Sequence, residues 1–205
     1  MERVKCGLIR VLAMAAIFAG LLGCATPDRR ADILYRPAAN VTGGSGDLYL
    51  VQGVRRPAGE SASIQWVLGK VTDDDGKQLA NIVTDMAPSS LVLDALNQEL
   101  KRAGYNVILR DTAPADANKA LILKEATILV NDTHTAVKDE VKSTVKIAVE
   151  PRRQGTLTGV SAYEAQYSDT GLTDRDHLPA DVLQKTLQLL MTRAVPDMVK
   201  VLEQK

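Results

Sequence analysis

Pro88-Ser-Ser-Leu-Val-Leu-Asp-Ala-Leu-Asn-Gln-Glu-Leu-Lys-Arg-Ala-Gly104 reads as an amphipathic helix set between strands. Leu93, Leu96, Leu100 and Ala103 recur three and four residues apart, the spacing that gathers them on one helical face. Asp94, Gln98, Lys101 and Arg102 fall on the others. Pro88 precedes the helix, Ser89 or Ser90 is the expected N-cap, and Gly104 is the expected stop. Upstream, residues 63–71 and 79–84 read as two strands joined by Asp73-Asp74-Asp75-Gly76, a hairpin tip in which glycine accepts the positive φ of a tight turn. Downstream, residues 105–109 leave the helix as a strand.

The same reading extends both ways. Residues 48–54 form an early strand, with Leu48, Leu50 and Gln52 on one face and Tyr49 and Val51 on the other. After a polar break at 112–118, strands are expected at 120–130, 141–150 and 156–167. The second alternates, Val145, Ile147 and Val149 inward against Thr144, Lys146 and Glu150 outward, which suits an antiparallel sheet wet on one side. Residues 180–194 make a closing helix with Leu183, Leu187, Leu190 and Ala194 as its stripe. Pro196 should kink it or begin a short helix to about 202. Strands, helix, strands, helix is an α+β order: a mostly antiparallel sheet with two main helices packed on one face.

The N-terminus fixes a location. Arg3, Lys5 and Arg10 are followed by an apolar run over 11–22, too short for the ~20 residues of a spanning helix. Leu21-Leu22-Gly23-Cys24 closes that run and resembles the bacterial lipobox. The resemblance implies cleavage before Cys24, a diacylglyceryl group on its sulfur and an acyl chain on its new amine. Residues 1–23 are then a lipoprotein signal peptide, 24–46 the lipidated cysteine and a flexible tether, and 47–205 a single α+β periplasmic domain. The tether reading rests on Pro27, Pro37, a charge cluster at 28–32 and Gly43-Gly44-Ser45-Gly46; such a chain spans roughly 25 Å, although 33–35 could dock. Ala25, rather than Asp, follows the cysteine, which favours the outer membrane where enteric sorting rules apply.

Composition narrows the function. Cleavage removes Arg3, Lys5, Arg10 and Glu2, leaving two more acids than bases, so no basic face invites nucleic acid. Only Tyr35, Tyr49, Trp66, Tyr105, Tyr163 and Tyr167 remain as aromatic platforms. Cys6 departs with the signal and Cys24 carries lipid. The mature chain therefore has neither a free thiol nor a disulfide, and a thiolate metal cluster is excluded.

Residues 67–109 look like the YajG-type lipoprotein family. The matching text is Leu68-Gly69-Lys70-Val71, Asp75-Gly76-Lys77-Gln78-Leu79, 91–99 and Lys101-Arg102-Ala103-Gly104-Tyr105, with 161–171 fitting a late strand. The likeness implies an outer-membrane lipoprotein with no assigned reaction and transfers no catalytic residue. A second likeness, to the auxiliary lipoprotein of ABC-type lipid transport systems, rests on Leu48-Tyr49-Leu50 and 96–104. The Trp-x-x-Pro-Leu text that precedes the helix there is missing here.

Sites of chemistry are weak. The contiguous acids of 73–75 lack the alternating ligands of a calcium loop and read as a solvated turn. His134 lies near Asp132, Asp139 and Glu140, and His177 near Asp174 and Asp176; without a partner histidine four residues away, both read as surface loop residues. Gly159-Val160-Ser161-Ala162-Tyr163 lacks the second glycine of a nucleophile elbow, and Gly43–Gly46 has no following Lys-Ser. Arg55-Arg56 and Arg152-Arg153 are solubilising turn charges, short of a lipid-binding cluster. The expectation is a non-enzymatic binding module without cofactor beyond its covalent lipid, held to the membrane and engaging an envelope protein at a sheet edge or at the sheet–helix cleft. Lipid hand-off is the alternative. A hydrolase would need His134 or His177 to converge with carboxylates in a pocket.

Overall fold

The computed structural model describes residues 27–53, 65–172 and 176–204. In chain order these contain β1 (Arg29–Arg30), β2 (Asp47–Gln52), β3 (Trp66–Thr72), β4 (Gln78–Thr84), α1 (Pro88–Ala103), β5 (Asn106–Arg110), β6 (Lys119–His134), β7 (Asp139–Arg153), β8 (Thr156–Leu157), β9 (Ser161–Gly171) and α2 (Leu178–Glu203). All nine strands belong to one sheet.

β6 organises it. One edge pairs along its whole length with β7. The other edge is shared: its first half takes β2, with β5 beyond, and its second half takes β3, then β4 and β1. A register shift at Leu123/Glu125 lies between the two halves. β7 carries β9 and the short β8 on its far side.

The α+β order holds, but the sheet is mixed. β1–β4, β2–β5, β2–β6 and β3–β6 are parallel, and only β3–β4 and the β6–β7–β9 meander with β8 are antiparallel. Between β2 and β5 the chain passes through β3, β4 and α1, a connection long enough for β5 to run parallel to β2. Parallel strands buried on both faces carry continuous apolar text rather than alternation. Leu121, Ile122 and Leu123 are all buried in succession, as are Leu50 and Val51.

Both helices cover one face. Leu93, Leu96, Leu100 and Ala103 of α1 and Leu183, Leu187, Leu190 and Ala194 of α2 join Leu48, Leu50, Val130, Val145, Ile147 and Val149 in one core. The opposite face carries Thr127, Lys142, Lys146 and Glu164 toward water. Glu150 faces the same way but is buried, because Arg152 and Lys124 pair with it and lie across it.

Three local readings change. α1 begins at Pro88, with Ala87 as its cap and no side-chain cap bond; proline's fixed φ suits the first helical position. Ser89 and Ser90 therefore lie inside the helix. α2 runs unbroken through Pro196 to Glu203, since Met198, Val199 and Leu202 keep the apolar stripe in the core while Thr192 and Pro196 face solvent. The strand expected at 156–167 is two, β8 and β9.

Two glycines are required by contact. A Cβ on Gly69 would lie 1.7 Å from the Val130 carbonyl oxygen of β6, at the point where β3 bulges against its other neighbour, β4. Gly104 ends α1 with φ of 115°, and a Cβ there would meet the Gly44 carbonyl at 2.5 Å.

Candidate functional site

Residues 27–46, expected as a free tether, are instead a strap bound to the domain. Arg29 and Arg30 pair with Ile82 and Val83, which makes β1 the end strand of the six-strand path, and Asp28 accepts the Asn81 amide at 2.8 Å. The strap then passes between the helices, where Gln184 and Gln188 of α2 donate to the Arg36 carbonyl and Arg102 of α1 donates to that of Pro37. Its end is closed by Gly44, whose amide donates to the Ala103 carbonyl at 3.0 Å. Ala31, Tyr35 and Ala39 enter the core. A proline-rich, glycine-ended segment lacks periodicity, so its docking is written in single side chains rather than in pattern.

Glu99 is the first of its two polar anchors. It sits on the apolar face of α1 at 1% exposure, where one carboxylate oxygen accepts the Tyr35 hydroxyl at 2.6 Å and the amides of Ala38 and Ala39 at 2.7 and 3.1 Å. Burial, then the bond to Glu99, pushes the Tyr35 hydroxyl pKa far up, so it remains a donor.

The second anchor is an ion cluster at the β6–β7 hairpin end. Asp132 and Asp139 point to the helix-covered face with fully buried side chains, and the Arg29 guanidinium donates to both, to Asp139 at 2.8 Å. His134 Nδ1 lies 2.5 Å from the other Asp139 oxygen. The two acids differ. Burial raises the Asp132 pKa, with Asp139 adding to the rise and Arg29 only partly offsetting it. Burial opposes ionisation at Asp139 as well, but hydrogen bonds from Arg29 and His134 prevail and hold its pKa below the usual value.

His134 thus converges with carboxylates, as a hydrolase would need, but those carboxylates are engaged by Arg29. His177 lines a separate cleft of about 500 Å³ with Pro27, Asp28, Arg29, Arg30, Asp32, Asp176 and Ala180, and among the described residues no serine or threonine lines it. Asp174 lies outside the described residues. Among the described residues, no three His, Cys, Asp or Glu side chains are grouped to hold a metal. The 73–77 turn is closed on Asp73, whose side chain accepts the amides of Asp75 and Lys77. Ser161 opens β9, and Arg152 is engaged by Glu150. Leu21, Leu22, Gly23, Cys24, Arg55 and Arg56 lie outside the described residues.

A further cleft, of about 410 Å³, opens between α1 and the ends of β2 and β5. Leu50, Leu93 and Leu109 form its apolar part; Gln52, Ser90, Asp94, Asn97, Arg110 and Asp111 line the rest. Beside it, β5 pairs with β2 alone among the described strands, leaving its outer edge open.

Residues 66–200 match the model of a family described as uncharacterized lipoprotein. The chain belongs to that family. No curated relative matches it by sequence. Among solved structures, protein XCC0632 from Xanthomonas campestris, of family DUF330, is similar in fold at TM-score 0.50 and 10% identity, covering 85% of this chain and 95% of that one. The rare lipoprotein B from Shewanella oneidensis is a looser likeness, at TM-score 0.27 and 16% identity over 65% of this chain and 89% of that one, and carries no weight here. Among the described residues of this lipoprotein, no helix is long and apolar enough to cross a membrane.

Sequence reading gives Arg29 and Glu99 no role, and Tyr35 only a place in the 33–35 stretch that could dock. A signal existed: Glu99 stands on the Leu96–Leu100 face, and Asp132 and Asp139 occupy inward positions, so each required a buried partner.

Proposed function

We propose that this protein is an outer-membrane lipoprotein, acylated at Cys24 and facing the periplasm, whose domain binds a partner without converting it. Membership of a lipoprotein family supports the anchor. The observation that carries the reading is the docked strap: it begins at residue 27, three residues after Cys24, so the acylated residue is joined almost directly to the folded body. Diacylglyceryl and N-acyl chains together give stable residence, which one chain does not. No other cofactor is required. The partner face is the α1–β5 cleft with the open β5 edge, which can accept an extended segment by strand addition. Its mixed lining favours a peptide over the continuous apolar groove that lipid hand-off needs.

Labelled palmitate in growing cells tests the anchor. Wild-type protein should take up label and partition with outer membranes, globomycin should accumulate the precursor, and Cys24→Ser should be unlabelled and released. Label-free wild-type protein would refute the reading.

A further inference from the structure

We infer that the end of the domain carrying the β3–β4 and β6–β7 turns rests on the zwitterionic headgroup surface of the bilayer that holds its own anchor. The inference rests on acylation at Cys24 and adds to it an orientation. Its basis is length. Arg29 pairs with Ile82, which pairs with Gly69, which pairs with Val130. β1 runs antiparallel to β6 through these steps, so Pro27, two residues earlier, lies at about the level of Asp132. Beyond that level β6 continues to His134 and the 135–138 turn, four or five residues that project about 14 Å. From Pro27 back to Cys24 there are three residues, which span at most about 11 Å even when extended. The leash is no longer than the projection. With the Cys24 backbone at headgroup depth, the turns reach headgroups as well.

The chemistry at this end agrees. Val137 in the β6–β7 turn is 70% exposed and Leu172, just after β9, is 68% exposed. Gly171 pairs with Asp139, so the two apolar side chains are at the same end of the sheet. Asp73, Asp74 and Asp75 outnumber Lys77 on the neighbouring turn, and Lys138 adds one cation. That balance disfavours an anionic surface and suits a zwitterionic one. Leu157, at the opposite end of β7, is 54% exposed; fourteen or so strand residues place it about 45 Å away.

The mature chain has no free thiol, so single labels are simple to place. Val137→Cys, Leu172→Cys and Leu157→Cys, each labelled with an environment-sensitive fluorophore, are to be reconstituted as lipidated protein in phosphatidylcholine–phosphatidylethanolamine vesicles with headgroup-nitroxide lipid. Quenching at 137 and 172 should exceed that at 157 at least threefold. A twenty-residue Gly-Ser insertion between Ala25 and Thr26 should bring position 137 down to the level of position 157. Equal quenching at all three positions, or quenching at 137 that survives the insertion, overturns the orientation while leaving the anchor intact. Intact mass of the protein reports acylation separately; its absence overturns the anchor and the orientation together.

Discussion

The sheet around β6 and the strap beneath the helices enter the same core by different means. β6 is held through backbone ladders on both edges and through a continuous run of buried side chains, Leu121 to Leu123, then Ile128 and Val130. The strap contributes two residues of ladder and three buried apolar side chains, and otherwise depends on charges and hydrogen bonds reaching it from β6, β7, α1 and α2. Backbone ladders stay formed when a single side chain is lost, and a core truncation, although it costs about 2–5 kcal/mol, leaves no buried charge or donor unpaired. A polar clasp differs, because removing one partner leaves the other buried and unpaired. The strap should therefore be the region that single substitutions release, and the sheet the region that only a steric insult breaks.

The largest effect is expected on the sheet side, at Gly69. Gly69→Ala drives a methyl into the Val130 carbonyl, so β3 must leave β6; the loss should exceed about 4 kcal/mol or prevent folding, as read by chemical denaturation. On the strap side, Arg29→Ala leaves Asp132 and Asp139 buried without their cation and should cost about 2–4 kcal/mol. Adding Asp132→Asn should recover part of that loss, because the acid whose ionisation burial already opposes is then gone. A double mutant no more stable than Arg29→Ala would show that the cluster is not what holds β1.

Acid separates the same two carboxylates. Asp139 has a lowered pKa in the folded state, so its contribution is complete above the unfolded value of about 3.9 and is lost as pH falls through its folded value. Asp132 has a raised one, so the folded state takes up its proton first and gains relative to the unfolded chain as it does. Thermal melts of Asp132→Asn should thus flatten the stability profile above pH 4, whereas Asp139→Asn should flatten it below. The smallest effect is Tyr35→Phe, about 1 kcal/mol, visible chiefly as faster exchange of the Ala38 and Ala39 amides.

The contrast also explains what was legible in the sequence. α1 was readable because leucine spacing, Pro88 and Gly104 agree, and β7 because Val145, Ile147 and Val149 alternate with polar residues. The parallel pairings were readable in principle from the unalternating text of Leu48–Val51 and 121–123, but such runs do not by themselves state which strands they join. The strap was not readable, since nothing in Pro27–Gly46 repeats; its docking is encoded at a distance, in an acid on a leucine face of α1 and in two inward acids of the hairpin. The 410 Å³ cleft likewise arises from the crossover and has no local motif.

Amide hydrogen exchange tests the central claim most directly, that residues 27–46 are part of the folded body. The amides of Ala31, Ala38, Ala39 and Gly44, each bonded to the domain, should exchange orders of magnitude more slowly than an unstructured peptide. Exchange of all four at the unstructured rate, with β6 and β7 still protected, would contradict it and return the segment to a free tether.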